Sequence, residues 1–145
     1  MEPRIRLAEE KDRTRLEAFL ERAGLGAIGL AENHALFILL ETAEGEIQAC
    51  AGIEPCGEAG LIRSFVISPA VTEWEMLLMF ERLAAMGLHA GLKGLYLVAN
   101  SEEAVQLFTR MGFQKSPNIP ASLIKNRHVQ AVLDVDNSIF MNLSL

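Results

Sequence analysis

At 145 residues the chain is long enough to bury a core and fits one domain, residues 1–145. Half of its residues are hydrophobic, which describes a globular chain rather than a disordered one. The formal charge of −6, with basic residues scattered, argues against a nucleic-acid partner; the lack of any apolar run of about 18–20 residues argues against a membrane span.

The N-terminus, "MEPRIRLAEEKDR", has no apolar signal-peptide core, so the expected compartment is the cytoplasm. "RIRL" (4–7) reads as a strand. Residues 9–24 read as a helix carrying Leu16, Phe19 and Leu20 at helical spacing and stopping at Gly24. "GLGAIGL" (24–30) reads as a loop or a short second helix. A meander follows: a strand over 34–43, the turn "EGE" (44–46), a return strand over 46–56 and a third strand over 57–69.

Residues 72–88 read as an amphipathic helix with Trp74, Leu77, Leu78, Leu83 and Leu88 near one side, and Trp74 as its anchor. "GLKGLYLVAN" (91–100) is a continuous apolar strand of the kind buried in parallel pairs. A helix over 101–112, a strand start at 113–116, a short helix over 120–126 and a closing strand over 138–145 complete the chain. The order predicts a mixed α/β fold around one sheet. Edge strands near 138–145 leave room for a homodimer.

Cys50 and Cys56 lack the spacing of a redox pair or a usual zinc site and read as free thiols in a reducing compartment. His34, His89 and His128 show no metal-ligand spacing, so no metal is expected, and His89 fits a favourable contact with a helix C-terminus. Arg63, a lone base in an apolar strand, reads as a paired structural residue before a clamp for a substrate carboxylate. Asn100-Ser101-Glu102-Glu103 reads as an N-cap box with Asn100 as the cap. Thr72 and Glu75 fit another, with the threonine hydroxyl and the glutamate carboxylate each capping the other's N–H.

The run "LIRSFVISP" before a helix, then "LKGLYLVAN", then "EEAVQLFTRMGFQK" resembles the core of the GNAT superfamily of acyl-CoA-dependent N-acyltransferases. The F-x-x-x-G-F helix end (Phe108 to Phe113) carries much of that resemblance. The tail, with its P-x-x-[LI] helix, is most similar to the N-acetylglutamate synthase-like and arsenic-resistance branch. The resemblance implies a single-domain α/β (α+β) fold whose mixed, mostly antiparallel sheet contains a splayed parallel strand pair flanked by helices. It implies acetyl-CoA as cosubstrate and a small-molecule amine as acceptor, joined by direct attack.

The resemblance also assigns positions. Phe65, Val66 and Ile67 would offer backbone groups to the pantetheine arm. The loop and helix start from Thr72 through Glu73, Trp74, Glu75 and Met76 to Leu77 would hold the pyrophosphate. Asn100 and Phe108 would lie on the cofactor, Phe108 where many relatives carry a proton-donating tyrosine. Glu54 is the candidate base for the substrate ammonium, with Glu32 behind it. The family loop reads R/Q-x-x-G-x-G/A, and aligning on Ser68-Pro69 puts Thr72, Glu75 and Leu77 at its three motif positions, none of which matches. Glu73 and Glu75 suit the positive end of a helix but repel phosphate. A second reading therefore stands beside the first: a GNAT fold that binds a ligand or partner in the old cofactor cleft without acyl transfer. That cleft would be apolar and rich in methionine, with Trp74, Phe65, Met76, Met79, Met86 and Met111 in the elements around it.

Overall fold

The structure is a computed structural model and describes residues 4–24, 36–126, 129–130 and 138–145. The glycine-rich stretch after Leu25, Glu32, His34 and His128 lie outside the described residues. The elements, in chain order, are β1 (Arg4–Leu7), a 3-10 turn (Glu10–Asp12), α1 (Arg13–Arg22), β2 (Leu36–Glu41), β3 (Ile47–Cys56) and β4 (Ala59–Ile67). Then follow α2 (Glu73–His89), β5 (Gly94–Ala99), α3 (Glu102–Arg110), β6 (Gln114–Lys115), α4 (Ala121–Ile124) and β7 (Ile139–Ser144). The seven strands form one sheet in the order β1-β2-β3-β4-β5-β7-β6. β1–β2, β2–β3, β5–β7 and β6–β7 pair antiparallel. β4 and β5 run parallel, with Ala59, Gly60 and Leu61 opposite Gly94, Leu95 and Tyr96. This is the mixed α/β fold around one sheet, with a parallel pair, that the sequence led one to expect.

Packing divides the chain into two compact units. The first comprises Met1–Glu54 and Ile62–Leu83. Its core forms where Leu16, Phe19 and Leu20 of α1 meet Phe37 and Leu39 of β2 and Cys50 of β3, with Val66 of β4 against them. Gly52 is required here: a Cβ at that position would sit 2.8 Å from the Phe37 ring across the β2–β3 pair. Gly45, at φ +88, makes the tight β2–β3 turn that closes with the Thr42 N–H donating to the Glu46 carbonyl at 2.9 Å.

A buried ionic cluster clamps this unit together. Asp12 and Glu41 are 1% and 2% exposed. The Arg6 guanidinium donates to both Asp12 oxygens at 2.7 and 2.8 Å and to Glu41 at 2.6 and 3.2 Å. Arg15 reaches Asp12 at 2.9 Å and Glu41 at 3.1 Å, and Arg4 reaches Glu41 at 3.1 Å. Arg6 holds the Asp12 carboxyl well below the ordinary carboxylate range, and with Arg15 and Arg4 it draws Glu41 down to about 2. The cluster ties β1, the start of α1 and the end of β2 into one body.

The second unit comprises Pro55–Leu61 and Ala84–Leu145. Its core joins Ala59 and Leu61 of β4 to Phe140 of β7 and Leu123 of α4, with Tyr96 and Val98 of β5 packed on them. Tyr96 stacks on Phe140 at 5.6 Å between ring centroids.

Three expectations are corrected. Trp74 is not an anchor but is 66% exposed, and Leu88 is 63% exposed. The buried stripe of α2 is Met76, Met79, Phe80 and Leu83, and Trp74 lies about 200° around the helix from Met76. Leucine and methionine surround this helix, so apolar content alone did not single out the inward face, and Met76, Met79 and Met111 are core rather than a binding surface. The cap of α3 is Ser101, not Asn100: Ser101 is extended and accepts from the Ala104 N–H at 3.1 Å, which puts Ala104, not Glu103, at the third helical position. β7 is not an edge strand, because β5 flanks it on one side and the two-residue β6 on the other, which leaves β6 as the edge of the sheet there.

Candidate functional site

The C-terminal part of β4 holds the one described non-glycine residue in a left-handed conformation, Ser64 at φ +54. For an L-residue this costs about 1–2 kcal/mol, and nothing in "RSFVIS" relieves it with a glycine. The Cys50 thiol donates to the Ser64 carbonyl at 3.3 Å and braces it. Burial pushes the Cys50 thiol up to about 12, with a backbone bond from Val66 pulling the other way, so it carries almost no thiolate at neutral pH. Cys50 is a brace, not a nucleophile. Both cysteines are free thiols, as expected.

Beyond Ser64 the side chains divide between the two faces of the sheet. Phe65 packs on Phe80 of α2, with ring centroids 5.3 Å apart, while Val66 joins the α1 core. The Ser68 N–H donates to the Gln48 carbonyl at 2.8 Å, and the Ser68 hydroxyl accepts from the Ala70 N–H at 3.2 Å, so the loop leaves the strand in a fixed direction.

The loop ends in the reciprocal cap that the sequence suggested. The Thr72 N–H donates to Glu75 Oε1 at 2.9 Å, and the Glu75 N–H donates to the Thr72 hydroxyl at 3.1 Å. Two donors that would otherwise face a bound anion are satisfied within the chain.

Two recesses open on this unit. The larger, about 980 Å³, lies between α1, the β2–β3 turn and the end of β4, and Val66, Ile67 and Ser68 form one wall. The smaller, about 330 Å³, lies beside the β4–α2 loop and includes Glu75. Glu44 and Gln48 line both. Arg15 and Arg22 of α1 face the larger recess together with Phe19, one helix stripe at i, i+4 and i+7. Arg15 is already bound to Asp12, Glu41 and the Gly45 carbonyl. Arg22 stands 6.0 Å from the Phe19 ring centroid.

The structure thus brings Val66, Ile67 and Glu75 to recesses that share a wall. Glu54 lines neither. It is ion-paired with Arg63 at 2.9 Å, so Arg63 is a paired residue. Glu73 and Trp74 are exposed at the start of α2, Met76 is buried beneath them, and Leu77 is half-buried. Asn100 and Phe108 belong to the second unit, where Asn100 is exposed and Phe108 meets Phe113 edge-on at 6.1 Å between centroids. Sequence reading missed Arg15, Arg22, Glu44, Glu46 and Gln48. The i, i+4, i+7 stripe of Arg15, Phe19 and Arg22 was the available signal for the first two. No helix among the described residues is long and apolar enough to cross a membrane.

No protein-family model matches the chain. The chain is 32% identical over 138 residues to Uncharacterized protein YwlB of Bacillus subtilis (strain 168), a match that covers 94% of each. Among solved structures it superposes on Rv2747 from Mycobacterium tuberculosis, in complex with CoA and NLQ, with a TM-score of 0.76 and 18% identity over 99% of both chains. An acetyltransferase of the GNAT family from Staphylococcus aureus Mu50 gives a TM-score of 0.75 and 13% identity over 99% of both chains. N-acetylglutamate synthase from Neisseria gonorrhoeae, complexed with coenzyme A and N-acetyl-glutamate, gives 0.74 and 19% over 100% of this chain and 35% of that one. Likeness at these identities establishes the fold. The chain belongs to the same family as Bacillus subtilis YwlB, built on the fold of the GNAT acetyltransferases.

Proposed function

We propose that the chain is a single cytoplasmic acetyltransferase domain that moves an acetyl group from acetyl-CoA to the amine of a small molecule. The observation that supports this best is the likeness, over nearly the whole chain, to solved structures in complex with CoA. In this reading the amine, once neutral, attacks the thioester carbonyl carbon. The C–N bond forms and the C–S bond breaks. CoA leaves as thiolate and takes one proton, and the former ammonium loses two in all. Phe108 cannot donate that proton, so water supplies it. Glu54, oriented by Arg63, is the proposed base through water.

The proposed cofactor contacts are mostly backbone. Phe65, Val66 and Ile67 present the strand edge beyond Ser64 to the pantetheine arm, which demands no particular side chains. The Thr72–Leu77 segment takes the pyrophosphate, with Glu73, Trp74 and Glu75 at the helix start. A second reading, ligand or partner binding without transfer, is favoured by the Thr72–Glu75 cap, which occupies donors that a pyrophosphate would use. Incubation with acetyl-CoA and a pool of small amines, read by release of the free CoA thiol, separates the two. Amine-dependent release is expected for the acetyltransferase; CoA binding with no release for any amine would favour the second reading.

A further inference from the structure

Helix α2 carries apolar residues on two faces, and only one of them is buried. Met76, Met79, Phe80 and Leu83 form the buried stripe. On the opposite side Trp74, Leu78, Glu81, Ala85 and Leu88 follow one another at alternating steps of four and three, within about 80° of arc. That alternation is the spacing of a helix–helix seam. Trp74 and Leu88 are two of the four large apolar side chains exposed among the described residues. Glu81 and Ala85 between them are exposed, and Leu78 is half-buried. The charges on this helix have an order of their own. Glu73 and Glu75 stand in the first turn and His89 in the last. Glu81 and Arg82, both exposed, sit side by side at the middle.

We propose that the outer face of α2 docks a second copy of this chain, the two helices packing antiparallel about a twofold axis beside Glu81 and Arg82. The charge order selects this occupant and this direction. An inverted copy brings each Glu81 to Arg82 of the other copy and each acidic first turn toward the other copy's last turn. It also lays Trp74 toward Leu88 of the other copy, so the two most exposed apolar side chains of the helix cover one another. A parallel copy would set Glu73, Glu75 and the helix dipoles against their own kind. The face runs 17 residues, or about 26 Å. One helix face of that length falls short of the roughly 800 Å² per partner of a standard interface, so the dimer is a weak one that fills at high protein concentration. It does not rest on the acetyltransferase reading.

The test is sedimentation equilibrium of the full chain from about 10 μM to about 1 mM, where a monomer–dimer equilibrium is expected. Trp74 is the sole tryptophan, so its emission should move to shorter wavelength over the same range. Trp74→Ser/Leu88→Ser should weaken the dimer by about tenfold or more. Arg82→Glu and Glu81→Arg should each suppress self-association, because four like charges then meet at the axis. An equimolar mixture of those two variants should dimerise again, since each now faces the opposite charge. Circular dichroism of each variant confirms its fold, and the mixture reports on pairing directly. The assignment is overturned if the chain stays monomeric at about 1 mM. It is equally overturned if a dimer forms with no change in Trp74 emission, if it tolerates Trp74→Ser/Leu88→Ser, or if the mixed variants fail to pair.

Discussion

Thr72 and Glu75 cap one another at the start of α2, each backbone N–H donating to the other's side chain at 2.9 and 3.1 Å. The pair stands where the resemblance places a phosphate-binding loop. Each carboxylate at about 5 Å from a phosphate charge, with an effective dielectric of 20 to 80, opposes binding by roughly 1–3 kcal/mol. Glu73→Gln/Glu75→Gln should therefore tighten acetyl-CoA binding by at least tenfold and change its salt dependence. Titrations of both proteins at low and high salt check this; equal affinities would remove the electrostatic argument.

The buried carboxylates Asp12 and Glu41 make the fold sensitive to loss of Arg6. Arg6→Met leaves both without their main partner and should cost about 3–5 kcal/mol in urea unfolding. A loss below about 1 kcal/mol would mean that Arg4 and Arg15 suffice.

The same cluster sets an acid limit. Glu41 is drawn from 4.5 to about 2 in the folded state, chiefly by its bond from Arg6, so the unfolded chain binds its proton more readily. Its contribution is full above pH 4.5 and disappears as pH falls toward 2. Asp12 acts in the same direction. Stability should fall steeply through that window in wild type and more gently in Glu41→Gln, measured by urea unfolding at each pH. Parallel curves would contradict it.

Ser64 carries backbone strain that a glycine would not. Ser64→Gly should leave stability unchanged or raise it by up to about 1 kcal/mol, while Ser64→Val should lower it by about 2 kcal/mol or more. Two equal losses in thermal unfolding would show that the left-handed turn is not what the position demands.

Much of the strand and helix order was legible because its signals are local. Leu16, Phe19 and Leu20 announced the buried face of α1, and the turn at Gly45 announced the first hairpin. The inward face of α2 was not legible, since leucines and methionines surround it and only the neighbours choose among them. Ser101 and Asn100 are both good caps, and the backbone decided between them. The Arg6–Asp12–Glu41 cluster joins residues up to 35 apart in sequence, a relation that no local pattern carries. The left-handed turn at Ser64 was invisible because its usual sign, a glycine, is missing. The Thr72–Glu75 cap was read from spacing alone, since its two bonds lie within one helical turn.

The measurement that bears most directly on the account is calorimetric titration of acetyl-CoA into the wild-type protein at low salt. The acetyltransferase reading predicts saturable binding in the micromolar range. Absence of heat or stabilisation at millimolar acetyl-CoA would contradict it and leave the Thr72–Glu75 cap as the replacement for the phosphate.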